Sequence, residues 1–373
     1  MRIPLFPRLT LALALALPCS AVLAAERWPD PHWSAAPAST SPAITALEDY
    51  AFPVRDDEAR KGVRTDALLV IRDGQIIYER YAGPTTATTP HLTWSMSKSL
   101  MASVLGVAYG EGRFKLDAPV ATYYPPMAEH PGIKMGHLFN WASGLAWQEG
   151  YEYAPLKSSV VAMLYTRGRT DMAAFAAQTP ADAEPGQRFR YSSGDSNILA
   201  AALKNIVGVK AYADYPWTAL FEPLGITSAV WETDTSGTFV GSSYAYMTAR
   251  DLARVGLLME RRGRWHDQQL LPDAWVTFNL TPFAGYQADA EKPDGAVPGA
   301  QWWLNSAAPT GSKPWPDAPD DTFAALGHWG QGMYVMPEEK LVVVRYGDDR
   351  DGSFKHNELL KRVTAAFGPG VKP

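Results

Sequence analysis

The chain has 373 residues, a formal net charge of −5 and 46% hydrophobic residues. This length and apolar content suffice for a sizeable core, in one large domain or in two intertwined lobes. Charged residues make up 20% of the chain and form neither a basic stripe nor a long run. The composition therefore argues against a nucleic-acid-binding protein and against a disordered charged tail.

Residues 1–25 are predicted to form a signal peptide. Two arginines flank the start of a short apolar run, 9–17, and small residues ending at Ala24 or Ala25 offer a cleavage site. The run is too short to span a membrane, so we expect a periplasmic or secreted protein with no stable membrane insertion after signal removal. Cys19, the single cysteine, lies in this segment. Lipid anchoring at Cys19 is not expected, because the preceding Leu17 and Pro18 differ from the small residues that lipoprotein processing prefers. The mature chain would lack thiols, which excludes disulfides and thiolate metal sites.

The remaining pattern places strands near both ends of the chain and helices between them. Asp73 and Gly74 mark the tight turn of the first hairpin. The predicted elements, in chain order, are a helix over 44–50, a hairpin over 67–81, helices over 97–110, 160–165, 172–177, 196–206 and 248–261, a hairpin of 332–336 with 341–346 across a turn at 337–340, and a helix over 357–367.

This order predicts an α/β protein of the α+β type. Its antiparallel sheet is formed from both termini, with flanking helices and an inserted helical lobe. We expect one domain over 26–373, with the sheet lobe at about 43–90 and 325–373 and the helical lobe at about 91–324. An active-site cleft would lie between the sheet and the lobe.

Ser95 is the only serine in the chain with a lysine three residues downstream. This spacing is about one helical turn, so the Ser95 hydroxyl and the Lys98 ammonium can lie on one face. A basic group within hydrogen-bond reach can activate a serine hydroxyl. The apolar run after Lys98 predicts a buried helix, which would place Ser95 at a helix N-terminus that favours an oxyanion. Taken alone, such a pair also arises by chance in a chain of this size.

Two later segments strengthen the case for Ser95. One is Tyr191-Ser192-Ser193, and the other is His328-Trp329-Gly330, which leads into the second hairpin. The order Ser-x-x-Lys, Tyr-x-Ser and His-x-Gly resembles the penicillin-recognising serine hydrolases, which comprise class C β-lactamases, D-alanyl-D-alanine peptidases, related esterases and 6-aminohexanoate-dimer hydrolases. Further matching stretches extend the resemblance over about 68–347. It implies a β-lactamase/transpeptidase-like fold.

The resemblance also implies a role for each motif residue. Ser95 would attack the acyl carbon, and Lys98 would keep it deprotonated or relay its proton. Tyr191 would act as a base beside Lys98 or pass a proton to the leaving group. The backbone N–H groups of Ser95 and Gln331 would form the oxyanion hole, and Gly330 would allow substrate to approach the strand.

Two departures from the family pattern bear on the substrate. Ser193 stands where β-lactamases carry an asparagine that holds an acylamino side chain, and His328 stands where they carry a lysine. Histidine is largely neutral at pH 7, so a permanent positive charge for a β-lactam carboxylate is missing. Tyr151 resembles a substrate-contacting tyrosine of the aminohexanoate hydrolases, the branch that this chain resembles most. The substrate-binding candidates are therefore Ser193, His328, Gly330 and Tyr151.

We therefore expect a serine hydrolase for esters or linear amides of small acyl compounds. Two other interpretations stay open: a β-lactamase or D-alanyl-D-alanine carboxypeptidase, and a penicillin- or peptidoglycan-binding sensor without turnover. The sequence contains no Gly-x-Ser-x-Gly run and no His-Glu-x-x-His run, so neither the nucleophile elbow nor that zinc motif is present. No metal or other cofactor is expected. The sequence leaves the oligomeric state open.

Overall fold

The computed structural model describes residues 26–151, 155–288, 295–306 and 311–368, so the predicted signal peptide lies outside the described residues. The helices are α1 Pro42–Ala51, α2 Met96–Gly110, α3 Met135–Phe139, α4 Ser159–Tyr165, α5 Met172–Ala177, α6 Ser193–Val207, α7 Val209–Tyr212, α8 Ala249–Glu260, α9 Asp273–Asn279 and α10 His356–Phe367. The strands are β1 Ser34–Ala35, β2 Thr65–Arg72, β3 Gln75–Tyr81, β4 His91–Leu92, β5 Val230–Trp231, β6 Ala245–Met247, β7 Arg264–Trp265, β8 Gln268–Gln269, β9 Val297–Pro298, β10 Trp303–Leu304, β11 Phe323–Gly327, β12 Gln331–Met336 and β13 Leu341–Gly347. None of the helices in these ranges combines the length and apolarity that crossing a bilayer requires.

An eight-stranded sheet has the order β1-β3-β2-β13-β12-β11-β10-β9. Its neighbouring strands are antiparallel except for the edge pair of β1 and β3, which is parallel. Both predicted hairpins are confirmed, β2 with β3 and β12 with β13. Asp73 and Gly74 have φ values of 46° and 72°, the left-handed backbone that the favoured two-residue hairpin turn requires. Because β2 pairs with β13, the two ends of the chain build the sheet together, as the sequence predicts.

Strand β2 shows why the sheet is covered on both faces. Leu69 and Ile71 belong to the larger core, which includes α2 and α8. Leu68 and Val70 belong to the smaller core, which includes α1 and α10. Since side chains alternate along a strand, a strand covered on both sides appears in the sequence as a continuous apolar run. The flanking helices of the prediction are therefore present on both faces.

The boundary of the predicted helical lobe needs a correction. Strands β9 and β10 and the start of β11 lie within the predicted range 91–324, yet they join the central sheet. Each of β9 and β10 is only two residues long, too short for alternation to be visible in a sequence. For the same reason of length, the sequence did not predict α3, α7 and α9, which have five, four and seven residues.

Helix α2 positions the candidate nucleophile at the meeting point of the sheet and the helical lobe. Most of its own residues are buried, as expected for a helix within a core. It begins at Met96, so Ser95 occupies the N-cap position. The preceding strand, β4, pairs with β6, and the end of β11 passes close by. The predicted location of Ser95 at a helix N-terminus is confirmed.

Candidate active site

Ser95 lies in a sharp turn that leads from β4 into α2. Trp94 has a left-handed backbone (φ 47°), which is uncommon for a large residue and is typical of positions that the surrounding structure holds in place. The Thr93 N–H donates to the Ala245 carbonyl at 2.9 Å, and the Thr93 and Ser97 hydroxyls hydrogen-bond at 2.9 Å. These contacts fix Ser95 at the first turn of α2, where free N–H groups favour negative charge.

Lys98 is buried, with 1% of its surface exposed, and its ammonium points back to Ser95. The Nζ atom donates to Ser95 Oγ at 3.0 Å and to the Ser242 carbonyl at 3.0 Å. Burial disfavours the charged form and lowers the pKa of Lys98 to about 8, although the negative charge of Glu149 acts in the opposite direction. An amine with this pKa is partly neutral near physiological pH, so it can accept the proton of a serine hydroxyl.

The side chain of Tyr191 lies beside Lys98 and Ser95. Lys98 Nζ lies 4.9 Å from the centroid of the Tyr191 ring, and Trp141 packs against that ring with the centroids 4.9 Å apart. Burial raises the pKa of Tyr191, the charge of Glu149 raises it further, and the neighbouring Ser95 hydroxyl partly opposes the shift. A phenol with a raised pKa keeps its proton, which favours a proton relay over a standing phenolate base.

A buried carboxyl group anchors the chain just after Tyr191. Ser192 caps α6 by accepting a hydrogen bond from the Asp195 N–H at 2.9 Å. Asp195 Oδ1 accepts hydrogen bonds from the hydroxyls of Ser143 at 2.8 Å and Ser192 at 3.2 Å. Burial raises the pKa of Asp195 to about 7. Sequence reasoning did not find this anchor, because Ser143 and Asp195 are 52 residues apart.

Ser193 contacts a carboxylate that sequence reasoning also missed. The Ser193 hydroxyl donates to Glu149 Oε1 at 2.5 Å, and the Ser193 N–H donates to Glu149 Oε2 at 2.9 Å. The indole N–H of Trp147 donates to the same Oε2 at 2.5 Å. Glu149 lines the same cavity as Ser95. In the sequence, Glu149 could have been found from its position two residues before the candidate Tyr151.

Part of the third motif reaches this cavity. Gly327 and His328 line it, and the His328 ring stacks on Tyr151 with the centroids 5.2 Å apart and the planes at 29°. A Cβ atom added at Gly327 would lie 2.6 Å from the Thr93 carbonyl oxygen. The end of β11 therefore runs against the backbone that leads to Ser95. The structure brings His328 and Tyr151, two predicted substrate-binding residues, to the nucleophile.

Two other predicted residues of this motif do not line the cavity. The Gly330 carbonyl accepts a hydrogen bond from Arg345 Nη1 at 2.6 Å, and a Cβ atom at Gly330 would lie 2.7 Å from Asp349 Oδ2. Gln331 is fully buried at the start of β12, where it pairs with Gly327 in the sheet. Gly330 and Gln331 are therefore not among the residues that line this cavity, and the roles predicted for them stay predictions.

The backbone between β11 and β12 explains why Gly330 and Gln331 lie outside the lining of this cavity. Trp329 and Gly330 have φ values of 60° and 78°, so the chain reverses in a short hairpin loop immediately after His328. The residues before the loop face the cavity, while Gly330 packs against other residues beyond it. In this part of the chain, Gly327 and His328 therefore supply the backbone that lines the cavity.

The cavity beside Ser95 has a volume of about 390 Å³ and adjoins a larger cleft of about 1000 Å³. Tyr191, Trp303 and Leu326 line both spaces, and Phe189 and Tyr286 extend the aromatic wall of the larger one. Together they could hold an extended molecule with its reactive group at Ser95. Within the described ranges, no three His, Cys, Asp or Glu side chains are grouped in a way that could hold a metal ion.

Comparisons with known proteins agree with this geometry. A family model described as Beta-lactamase matches residues 53–366. A 6-aminohexanoate-dimer hydrolase from Paenarthrobacter ureafaciens is 27% identical over 341 residues, which cover 86% of this chain and 82% of that protein.

Solved structures show the same fold. EstCE1, a hydrolase with promiscuous acyltransferase activity, superposes with a TM-score of 0.69 at 16% identity and covers 88% of this chain and 100% of the other. A class C β-lactamase in complex with cefoxitin superposes with a TM-score of 0.61 at 16% identity and covers 87% and 98%. The predicted β-lactamase/transpeptidase-like fold is therefore confirmed.

Proposed function

This chain belongs to the β-lactamase family, and from that premise we propose that it is an exported serine hydrolase that cleaves esters or linear amides of small acyl compounds. The observation that carries the proposal is the 3.0 Å contact between Lys98 Nζ and Ser95 Oγ, made beside the Tyr191 phenol. A nucleophile, a buried amine and a protonated relay in one cavity suit acyl transfer.

Acylation begins when the neutral amine of Lys98 accepts the Ser95 proton and Ser95 Oγ bonds to the acyl carbon. The carbonyl oxygen becomes an oxyanion at the N-terminus of α2, next to the Ser95 N–H and the backbone of Gly327 and His328. As the intermediate collapses, Tyr191 gives its proton to the leaving group and regains one from the Lys98 ammonium. Water then attacks the acyl-enzyme, and the same groups move its proton to Ser95.

The features of the cavity favour linear substrates over β-lactams. Position 328 carries a histidine, where the family pattern of the β-lactamases has a permanently charged lysine that faces a β-lactam carboxylate. The Ser193 hydroxyl is already bonded to Glu149, so it is poorly placed to hold an acylamino group. The relative from P. ureafaciens is named for the 6-aminohexanoate dimer, and EstCE1 is named as a hydrolase with acyltransferase activity. Both names support an ester or amide substrate.

A substrate panel tests this proposal directly. We expect purified enzyme to turn over p-nitrophenyl acetate and butyrate efficiently and nitrocefin poorly. The opposite ranking would reject the linear-substrate proposal in favour of a β-lactamase. Cleavage of D-alanyl-D-alanine peptides alone would favour the carboxypeptidase alternative. Covalent labelling by a fluorophosphonate without any turnover would favour the sensor.

Export of the protein is part of the proposal. It is supported by the apolar run over 9–17 and by the small residues that follow it. A mature N-terminus at Ala25 or Glu26, read by mass spectrometry from exported protein, would support it, while an intact N-terminus in the cytoplasm would reject it.

Substitution of Gly327 by alanine is expected to lower kcat/KM on p-nitrophenyl butyrate by about tenfold or more, because small displacements of reacting groups are costly. The new Cβ atom would displace the Thr93 carbonyl, which lies 2.6 Å from it, and with it the turn that presents Ser95. Gly150→Ala is the matched control, since Gly150 lines the same cavity and a Cβ atom there meets nothing within 4 Å. Equal rates for the two variants would contradict the proposed close approach of β11.

A further inference from the structure

Gln301 is a buried amide that lies just before β10 and connects three helices. Its backbone is left-handed (φ 64°), and only 1% of the residue is exposed. The Nε2 atom donates to the carbonyls of Leu138 at 3.1 Å and Phe139 at 3.0 Å, at the end of α3. The Oε1 atom accepts a hydrogen bond from the Ser196 hydroxyl of α6 at 2.7 Å, and the backbone carbonyl accepts one from the Ser99 hydroxyl of α2 at 2.6 Å. The amide nitrogen and oxygen are therefore both paired, which fixes the side chain in place.

Each of these three helices supports one of the reacting side chains. Ser99 lies about one helical turn after Ser95. Ser196 lies near the start of α6, which begins two residues after Tyr191. Helix α3 ends two residues before Trp141, whose ring packs against the Tyr191 ring. A single amide therefore connects the helix of the nucleophile to the two segments that hold the phenol.

The strand that follows Gln301 also packs against the phenol. The Trp303 ring centroid lies 5.4 Å from that of Tyr191 and 5.2 Å from that of Trp141. Trp303 lines both the cavity and the larger cleft, whereas Gln301 is not among the described residues that line either space. Gln301 can therefore act on the reaction only through the residues that it holds.

We propose that Gln301 is a positioning residue that holds the Tyr191 phenol where it can give its proton to the leaving group. This inference rests on the proposed hydrolase function, in which Tyr191 makes that transfer. The bond to Ser99 uses the backbone carbonyl, so a substitution of the side chain keeps the attachment to α2 and releases α3 and α6. The 3.0 Å contact between Lys98 and Ser95 lies within the first turn of α2 and does not involve the amide. Loss of the amide should therefore displace the phenol more than the nucleophile.

Two butyrate esters that differ in their leaving groups separate these effects. p-Nitrophenolate is a stable anion and departs without a proton, whereas ethoxide must be protonated as it leaves ethyl butyrate. Gln301→Leu should lower kcat/KM for ethyl butyrate by about tenfold or more and that for p-nitrophenyl butyrate by less than about threefold. Tyr191→Phe, which lacks the transferred proton, should show the same imbalance. Titration of the released butyric acid measures both rates.

Asn305→Leu is the matched control, because Asn305 is also a buried amide and lies four residues further along the chain. Its Nδ2 atom donates to the carbonyls of Trp315 at 3.0 Å and Pro319 at 2.9 Å, and it is not among the described residues of either space. This variant should lower the melting temperature but keep the wild-type ratio of the two rates. Ser196→Ala removes only the contact with α6 and should shift the ratio in the same direction as Gln301→Leu, so it replaces that variant if Gln301→Leu does not fold.

The outcomes distinguish this inference from the proposed function. If the Gln301 or Ser196 variant changes both rates equally or not at all, or if Asn305→Leu shifts the ratio as far, Gln301 only stabilises the fold and the inference is wrong. It is also wrong if Tyr191→Phe shows no imbalance.

The wild-type enzyme provides the last distinction. If it cleaves the p-nitrophenyl ester but not ethyl butyrate, there is no protonation of the leaving group for Gln301 to support, and the inference fails while the hydrolase proposal stands. If it cleaves neither ester, the proposed function itself fails.

Discussion

Replacement of Ser95 by alanine is expected to lower kcat/KM on an activated ester by about 10⁴-fold or more and to leave the fold intact, because covalent catalysis cannot proceed without the nucleophile. The hydroxyl makes no capping hydrogen bond to α2, so its loss removes little of the structure around it. Initial rates on p-nitrophenyl butyrate and a thermal melt measure the two effects separately. The fluorophosphonate label should disappear in the same variant.

Ser97→Ala is the matched control for this experiment. Ser97 lies two residues further along, and its hydroxyl pairs with Thr93 and accepts a hydrogen bond from the Ala245 N–H at 3.2 Å. Alanine at this position should cost about 1 kcal/mol of stability through lost buried hydrogen bonds, yet keep the label. Labelling that persists in Ser95→Ala and vanishes in Ser97→Ala would show that the nucleophile has been assigned wrongly.

Replacement of Lys98 by alanine is expected to lower kcat/KM by about 10²- to 10⁴-fold, the range for loss of a general base. In the wild-type enzyme, burial lowers the pKa of Lys98 to about 8. Below that pH the ammonium cannot accept the Ser95 proton, so activity should rise with pH and level off above about 8. A pH profile of kcat/KM checks this, and the rising limb should be absent from the residual activity of the variant.

Lys204→Ala controls for loss of a lysine from a helix. Lys204 lies in α6 and its Nζ donates to the Ser236 carbonyl, outside the cavity of Ser95. Its replacement should change neither the rate nor the pH profile. If the wild-type profile showed no limb near pH 8, or if Lys98→Ala kept it, another group would have to be the base.

The sequence predicted those parts of the site that local geometry determines. A serine and a lysine three residues apart share a face as soon as a helix forms, and α2 places Lys98 Nζ 3.0 Å from Ser95 Oγ. Continuous apolar runs and the Asp73-Gly74 turn are likewise local signals, and they predicted β2, β3 and β13 and their pairing into one sheet. The order of the three motifs in the sequence predicted that Tyr191 lies near Ser95 and Lys98. Nothing in the local sequence around Tyr191 required this.

Residues that depend on long-range packing were missed or misplaced. Glu149 acquires its surroundings from Ser193, 44 residues away, and nothing in the local sequence marks that pairing. The family resemblance implies that Gln331 follows His328-Trp329-Gly330 on an edge strand beside the substrate. The left-handed backbone at Trp329 and Gly330 instead reverses the chain after His328. Positive φ values at a tryptophan are rare enough that sequence patterns do not predict them.

The pairing of β2 with β13 has a consequence for how the protein is made. Leu68 lies opposite Arg345, so the middle of the sheet joins segments separated by most of the polypeptide. Pairings between such distant segments form late in folding, because the long intervening loop must be closed first. Most of the chain must therefore be synthesised before the central sheet, and with it the catalytic cavity, can form.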